Sequence, residues 1–297
     1  MRSLLTGGGG FVARVIGPAL VGAGHDLAIC LRPGQVAPEW TSILAGRVTV
    51  HWADLAGEEG LETLLLDRDI IIHAAGSVAQ ALEDPRAPAD VFERNNIRVT
   101  RALISGALAT GCPRFINFSS LAIYGSIDVD LVEVGTPSSS PSFYGVSKIV
   151  SENALHDVAV RLASISLRIP GIVGPNAHGN WLSRCRAALR AGAPVSIANP
   201  GFKFNNVVHV DDLAAFIIDL CRQNWIGSRA VLIGAGAPMS IQKMISMMKE
   251  QIGSSSRIDV KANGQRPFAI SSDAAVRNFG YRPAPVTTII SRFADEP

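Results

Sequence analysis

The stretch LLTGGGGFVARVIGPAL, residues 4–20, places four consecutive glycines between a short apolar run and a segment of helical periodicity. Glycine directly after a strand permits a tight turn and lets backbone N–H groups approach a pyrophosphate at the positive end of the following helix. Gly7, Gly10 and Ala13 give the spacing G-x-x-G-x-x-A. The stretch predicts a strand, a phosphate-binding turn and a helix; the alternative is a merely flexible turn.

Further apolar runs extend this pattern along the chain. We predict strands at SLLTG, DLAICL, RVTVHW, DIIIHAAG, RFINFSS and ISLRIPG, separated by helical segments. Continuous apolar strands that alternate with helices are typical of a parallel sheet covered on both faces. We therefore expect an α/β fold, a doubly wound parallel sheet of the Rossmann type with a smaller mixed α/β C-terminal lobe. The predicted dinucleotide-binding domain covers 1–170, with a strand and a helix returning near 204–223, and 171–297 mainly form the substrate-binding lobe.

The composition excludes several classes of partner. The 297-residue chain is 47% hydrophobic and carries 27 basic against 25 acidic residues, without a cluster of Lys and Arg. This predicts a substantial core and argues against nucleic acid or a membrane surface as a partner. The four cysteines lack the spacing of a metal site, and we identify no signal peptide or membrane-spanning apolar run. We expect a cytoplasmic protein without a metal ion.

The end of the second predicted strand bears on cofactor choice. Dinucleotide domains often carry an acid there, which binds the adenosine ribose, but this strand ends in Leu31 and Arg32. Arginine can accommodate a 2′-phosphate, so the sequence favours NADP slightly over NAD; alternatively Arg32 is an ordinary surface residue. Asp54, after the third strand, is either a hydrogen-bonding partner for the adenine or a helix cap.

The stretch SFYGVSK, residues 142–148, sets Tyr144 and Lys148 four positions apart. In a helix such residues lie on one face, so the ammonium can approach the phenol. A nearby cation favours the phenolate and lowers the phenol pKa toward the working range. The pair is a candidate acid/base device; the alternative is a solvated helix face.

The order and spacing of motifs along nearly the whole chain resemble the extended short-chain dehydrogenase/reductases, in particular the NAD(P)-dependent nucleotide-sugar epimerase/dehydratase group. The matching stretches are TGGGGFVA, ADL, IIHAAG, NNIRVTRALISGA, RFINFSSLAIYG, YGVSK, LRIPGIVGP, HVDDLA and SSDAAVRNFGYRP. The resemblance implies that Tyr144 is the general acid/base, that Lys148 holds the nicotinamide ribose and lowers the tyrosine pKa, and that Ser120 binds the same substrate oxygen.

The resemblance also implies a wider set of binding residues. The cofactor-binding residues are expected to be Gly7, Gly10, Phe11, Val12, Arg32, Asp54, Leu55, Ala74, Ala75, Gly76, Tyr144, Lys148, Pro170 and Ile172. For substrate binding we expect Ser120, Asn205 and Arg266. Asn96 corresponds to a mainly structural asparagine, and we interpret His73 and His209 as structural histidines.

Two departures from the family pattern restrict the reactions and substrates that we expect. Dehydratases of the group carry an Asp-Glu pair after the hydroxyl residue, whereas Leu121 and Ala122 stand here, so a 4,6-dehydratase is disfavoured. Many nucleotide-sugar enzymes carry Arg-Asp-Phe where this chain has NNV at 205–207. The cation for a diphosphate would then come from Lys203, Arg184 or, by preference, Arg266.

The predicted function is NAD(P)-dependent hydride transfer at a hydroxyl or keto carbon of a nucleoside diphosphate sugar, with a 4-epimerase as first choice. The alternatives are an NADPH-dependent 4-ketoreductase, a reductase of a non-sugar ketone, and a non-catalytic NADP-sensing protein. Family relatives often dimerise through two helices, so we expect a homodimer.

Overall fold

The computed structural model describes residues 1–44, 46–57, 60–78, 89–261 and 266–297. They form two compact units. The first contains Met1–Gly125, Ser140–Arg168 and Ala214–Val231, and the second contains Ser126–Ser139, Ile169–Leu213 and Leu232–Pro297. The sequence-based boundary lay at residue 170; the structure also assigns 126–139 to the second unit and 214–231 to the first.

The elements follow one another in an alternating order. The first half contains β1 (Arg2–Thr6), α1 (Ala13–Gly22), β2 (Asp26–Leu31), α2 (Glu39–Ile43), β3 (Val48–Trp52), α3 (Leu61–Leu65), β4 (Ile70–His73), α4 (Ala89–Phe92), a π-helical turn (Glu93–Arg98), α5 (Val99–Thr110), β5 (Arg114–Ser120), a 3₁₀ turn (Leu121–Tyr124), β6 (Leu131–Val132) and α6 (Phe143–Asp157). The second half contains β7 (Ala163–Ile169), β8 (Gly171–Val173), α7 (Trp181–Arg190), β9 (Val195–Ile197), β10 (Lys203–Phe204), β11 (Val207–His209), α8 (Val210–Arg222), β12 (Ser228–Leu232), β13 (Met239–Ser240), α9 (Ile241–Ile252), β14 (Ile258–Val260), β15 (Ala269–Ile270), α10 (Asp273–Phe279) and α11 (Val286–Asp295).

A seven-stranded sheet organises the first unit. Its strand order is β12-β7-β5-β4-β1-β2-β3, and β1 pairs in parallel with both β2 and β4. The direction of winding reverses between β1 and β4, and the crevice beyond the carboxyl ends of two such strands is where α/β sheets bind ligands. The predicted Rossmann-type α/β fold is confirmed.

Burial explains why the strand sequences are continuously apolar. Leu4, Leu5, Ile29 and Ile71 are fully buried, because helices cover both faces of the sheet. Burying each such side chain stabilises the fold by about 1.5–3 kcal/mol. The sheet is therefore a rigid support for the loops at its carboxyl edge.

The second unit is built from short strand pairs and helices. Parallel pairs join β6 to β15, β8 to β11 and β9 to β14, and an antiparallel pair joins β10 to β13. Near its C-terminal end, the guanidinium of Arg186 lies 3.9 Å from the ring centroid of Phe293 and donates to the Phe293 carbonyl. Across the described ranges of the chain, every helix is too short or too polar to cross a bilayer.

Candidate active site

The glycine turn after β1 packs directly against the turn after β4. Gly7 has a φ of +74°, and a Cβ on it would lie 2.9 Å from the backbone nitrogen of Ala75. The amide of Gly10 donates to the Gly7 carbonyl at 2.9 Å, which closes the turn before α1 begins. Only glycine at position 7 combines this backbone conformation with so close an approach.

A cavity of about 210 Å³ opens beside these two turns. Its described lining residues are Gly7, Gly9, Gly10, Cys30, Leu31, Arg32, Gln35, Ala53, Asp54, Leu55, Ala74, Ala75, Gly76, Ser77, Arg94, Asn95 and Val99. The small residues belong to the two loops that follow β1 and β4, and the first of these leads into α1, an arrangement that can cradle a pyrophosphate. The residues present therefore fit a dinucleotide.

The cavity contains most of the predicted cofactor residues and several that the sequence did not indicate. Phe11 and Val12 precede α1 and are not among its described lining. Gln35, Ser77, Arg94 and Asn95 were not predicted. Arg94 and Asn95 belong to the π-helical turn, which no particular residue type marks in the sequence.

Asp54 is held by its own turn and by Arg94. Its Oδ1 accepts the amide of Ala56 at 3.1 Å, and its Oδ2 pairs with the guanidinium of Arg94. Desolvation acts to raise the pKa of Asp54, but the bonds from Ala56 and Arg94, with the charges of Arg94 and Arg32, outweigh it and lower that pKa. Two arginines thus face one carboxylate, which leaves the cavity lining with a net positive charge.

Ser120 and Tyr144 meet where α6 docks on the 3₁₀ turn. The helix begins after Ser142, whose hydroxyl accepts the amide of Gly145 at 3.3 Å. A Cβ on Gly145 would lie 2.3 Å from the carbonyl oxygen of Ala122, so glycine permits this contact. The hydroxyl of Ser120 accepts the amide of Ala122 at 3.1 Å, and the Ser120 side chain lies near enough to the phenol of Tyr144 to oppose the rise in its pKa.

Lys148 lies one helical turn after Tyr144 and is buried. Its Nζ donates to the Phe118 carbonyl at 2.8 Å and lies 5.8 Å from the centroid of the Tyr144 ring. A Cβ on Gly76 would lie 3.7 Å from the same Nζ. The ammonium therefore lies beside both the phenol and a turn that lines the cavity.

The pKa values show how burial affects this pair. Burial raises the pKa of Tyr144, and the Ser120 side chain only partly opposes it. This direction is opposite to the one predicted from the Tyr-Lys spacing, because desolvation of the phenolate dominates. Burial also lowers the pKa of Lys148 to about 8, although Glu152 acts to raise it. At neutral pH the phenol holds its proton and the lysine is mainly cationic.

Asn96 fixes the turn after β4 to α6. Its Oδ1 accepts the amide of Ser77 at 2.8 Å, and its Nδ2 donates to the hydroxyl of Ser147 at 2.9 Å. The two predicted structural histidines are also hydrogen-bonded. His73 contacts the hydroxyls of Thr6 and Thr100 at 2.8 and 3.1 Å, and burial lowers its pKa to about 3.

His209 lies in the second unit with Asp211 and Glu296, and their ligand atoms lie within 4.8 Å of one another. Its Nε2 is 2.9 Å from Oε1 of Glu296, and its Nδ1 accepts the amide of Asp211 at 3.2 Å. Because both ring nitrogens are engaged, this cluster serves the packing of the C-terminal residues.

The remaining predicted residues also lie in the second unit. Asn205 is buried: its Nδ2 donates to the carbonyls of Ala235 and Ile270 at 3.3 and 2.8 Å, and its Oδ1 accepts the amide of Ile270 at 2.9 Å. The side-chain amide of Asn205 therefore forms its hydrogen bonds with the backbone of the same unit. Pro170 follows β7, and the carbonyl of Ile172 accepts from Asn180 at 2.7 Å.

Arg266 is held by two aspartates of the same unit. Its Nη1 lies 3.0 Å from Oδ1 of Asp128, and its Nη2 lies 2.9 Å from Oδ1 of Asp130. All three side chains are exposed, so each ion pair is screened by solvent.

Residues 3–234 match the model of the NAD dependent epimerase/dehydratase family. The chain belongs to this family. Curated relatives include a UDP-glucose 4-epimerase of Azospirillum brasilense, 25% identical over 281 residues that cover 85% of this chain and 78% of the relative. A ceramide reductase of Caulobacter vibrioides is 30% identical over 224 residues, covering 75% and 62% respectively.

Solved structures of epimerases share the fold of this epimerase/dehydratase family member. A UDP-glucose 4-epimerase from Thermotoga maritima, solved with UDP-glucose, has a TM-score of 0.83 at 20% identity and covers 99% of this chain and 98% of its own. A UDP-glucuronic acid 4-epimerase from Bacillus cereus, solved with NAD, has a TM-score of 0.82 at 20% identity with the same coverage.

Proposed function

We propose that this protein catalyses NAD(P)-dependent hydride transfer at a carbon that carries a hydroxyl or keto oxygen. The observation that carries the proposal is the arrangement of Ser120, Tyr144 and Lys148: a phenol near a serine hydroxyl, with a buried ammonium beside it. When bound, the nicotinamide accepts or supplies the hydride. The glycine turn and the turn at 74–76 would hold the dinucleotide.

The phenol and the serine act on the substrate oxygen. Ser120 donates a hydrogen bond to that oxygen, and Tyr144 transfers the proton to or from it. When Tyr144 has given up its proton, the charge of Lys148 stabilises the phenolate. Because burial raises the pKa of Tyr144, its phenolate is a strong base for the proton of a substrate hydroxyl, and the phenol returns that proton when the carbonyl oxygen gains negative charge. An epimerase needs this return, since the same oxygen loses and regains its proton.

The first candidate reaction is 4-epimerisation of a nucleoside diphosphate sugar. It is supported by the UDP-glucose 4-epimerases among the relatives, at 23–25% identity. Leu121 and Ala122 follow Ser120 in the 3₁₀ turn, and neither side chain can move a proton, which disfavours dehydration. NADPH-dependent 4-ketoreduction uses the same residues.

The second candidate is reduction of a non-sugar ketone. A diphosphate would have to compete with Asp128 and Asp130 for Arg266, and the side-chain amide of Asn205 is bonded within the fold. The ceramide reductase relative, at 30% identity, also supports this candidate.

The lining of the cavity and the state of the cysteines support proposals about the cofactor and the cellular compartment. Arg32 and Arg94 against Asp54 favour the additional charge of NADP. The four cysteines are buried and unpaired, as in proteins of a reducing cytoplasm. We further propose that the protein acts as a homodimer.

One experiment separates these candidates. The purified protein is incubated with NAD, NADP or NADPH and, in turn, with UDP-, dTDP- and GDP-sugars and with long-chain ketones, and the products are identified by NMR. Interconversion of two 4-epimers would support the first candidate. If no nucleotide sugar reacts and free UDP, dTDP and GDP fail to bind at millimolar concentration, the sugar proposal is rejected and ketone reduction takes its place.

A further inference from the structure

Three side chains of α6 are joined to three successive residues of β5. Tyr144, Lys148 and Glu152 recur every four residues, so they lie on one face of the helix. The phenol of Tyr144 lies near the Ser120 hydroxyl, Lys148 donates to the Phe118 carbonyl, and Glu152 accepts from the Ser119 hydroxyl. The first two residues are in the proposed mechanism, and Glu152 is not.

Glu152 is held in place by a buried ion pair. Arg168 of β7 donates from Nη2 to its Oε2 at 2.8 Å and from Nε to its Oε1 at 3.2 Å. The Nη1 of Arg168 donates to the hydroxyl of Tyr124 at 2.9 Å. The side chains of Arg168 and Glu152 are only 14% and 11% exposed. With its oxygens bonded to Ser119 and to Arg168, the carboxylate of Glu152 is held in one position.

Lys148 needs a negative partner, because burying an ammonium without one is costly. The other titratable groups packed around it do not supply one: His73 of β4 and the phenols of Tyr124 and Tyr144 are neutral. Arg168 is a cation. The charged residues of the neighbouring α4, π-helical turn and α5 are exposed, namely Asp90, Glu93, Arg94, Arg98 and Arg101. Of the described residues around Lys148, Glu152 is the one carboxylate that burial shields from water.

We propose that Glu152 is a positioning residue of the active site: fixed by Arg168 and Ser119, it keeps Lys148 protonated and seated on the Phe118 carbonyl. The inference rests on the role proposed above for Lys148. The opposing influences on the lysine agree with it, since burial lowers the pKa of Lys148 and Glu152 raises it.

The direct test is the titration of Lys148, which requires no substrate. The chain has five lysines, and Lys148 is the only one before Lys203. Protein with ¹³C-labelled lysine is titrated by NMR, and Lys148→Met identifies the signal. We expect wild-type Lys148 to be protonated at pH 7, and a midpoint below neutrality would overturn the proposal whether or not any variant folds.

Variants then test the source of the charge. Glu152→Gln should lower the pKa of Lys148 by about one pH unit or more, since an opposite charge has been removed. Asp157→Asn, which removes an exposed carboxylate from the same helix, should leave it unchanged. Glu152→Asp, which keeps the negative charge, should give Lys148 a pKa between those in Glu152→Gln and in the wild type. A folded Glu152→Gln protein with the wild-type midpoint would reject the proposal.

Arg168→Met should instead raise the pKa of Lys148, because Glu152 would then face Lys148 without a competing cation. With a reacting substrate, the alkaline limb of the kcat profile of Glu152→Gln should move to lower pH. If the pKa of Lys148 falls in Glu152→Gln as expected but the wild type turns over no substrate, only the proposed function is rejected. Turnover combined with an unchanged titration in Glu152→Gln would reject this inference alone.

Discussion

At the scale of single residues, the environment of Tyr144 separates its chemical role from its structural one. The phenol oxygen lies near the Ser120 hydroxyl, while the ring packs 5.7 Å from the ring of Phe92, centroid to centroid. Tyr144→Phe removes the transferable proton and keeps the ring, so it should lower turnover by about 10²–10⁴-fold and leave dinucleotide affinity within a few-fold. Calorimetric titration and single-turnover assays measure both. More than a tenth of wild-type turnover in the variant would contradict the assignment.

The lowered pKa of Lys148 also makes stability depend on pH. The pKa is about 8 in the fold against 10.5 for an ordinary lysine, so the unfolded chain binds more protons between these values. The free energy of unfolding contributed by Lys148 should therefore rise with pH across that window, by at most about 1.4 kcal/mol per unit, and be lost as pH falls through 8. The free energy of unfolding, measured by urea denaturation at several pH values, should rise more steeply with pH in wild type than in Lys148→Met across that window. Parallel slopes would show that the lysine is not perturbed.

Arg32 is the residue on which cofactor choice should depend. Arg32→Ala removes a cation from the cavity, so affinity for NADP should fall about tenfold relative to NAD. Arg98→Ala is the matched control, because Arg98 is exposed and pairs with Glu93 outside the cavity lining. Both dinucleotides are titrated against all three proteins. An affinity ratio that is unchanged by Arg32→Ala would place selectivity elsewhere.

At the scale of elements, the docking of α6 on the 3₁₀ turn depends on Gly145. A methyl group there would meet the Ala122 carbonyl at 2.3 Å, so Gly145→Ala should destabilise the protein by about 1–3 kcal/mol and reduce turnover by displacing Tyr144 from Ser120. Gly22→Ala, at a helical glycine with open space around it, should be neutral. Urea denaturation compares the two. Equal stabilities would mean that the helix adjusts without cost.

The main sheet could be predicted from the sequence because its strands are buried on both faces and therefore continuously apolar. The glycine turn and the Tyr-Lys pair were also visible, because each requires particular residues at fixed spacing. The π-helical turn was not visible, since no particular residue type or motif marks its extra backbone residue. Nor was the network of Glu152 with Arg168 or the pairing of Arg266 with Asp128, because contacts between distant residues leave no local signal.

At the scale of the whole molecule, the charges around Arg266 should decide between the proposed substrates. Replacing Asp128 and Asp130 together by asparagine frees the guanidinium from both ion pairs. If the substrate is a nucleoside diphosphate sugar, its KM should fall several-fold, and Arg266→Ala should raise it. If the substrate is an uncharged ketone, neither change should alter KM by more than about twofold. The two variants are assayed side by side at low ionic strength.

The interleaving of the two units constrains how the chain can fold during its synthesis. The first unit takes its last segment from Ala214–Val231, and β12 of that segment forms the edge of the sheet beside β7. The amide of Ser164 donates to the Gly227 carbonyl at 2.9 Å. During synthesis, some sixty further residues must therefore follow β7 before β12 can pair with it and cover the exposed edge of the sheet. A chain released after Pro170 would leave that edge exposed for pairing with other chains, so truncation there should give aggregates and not an isolated nucleotide-binding domain.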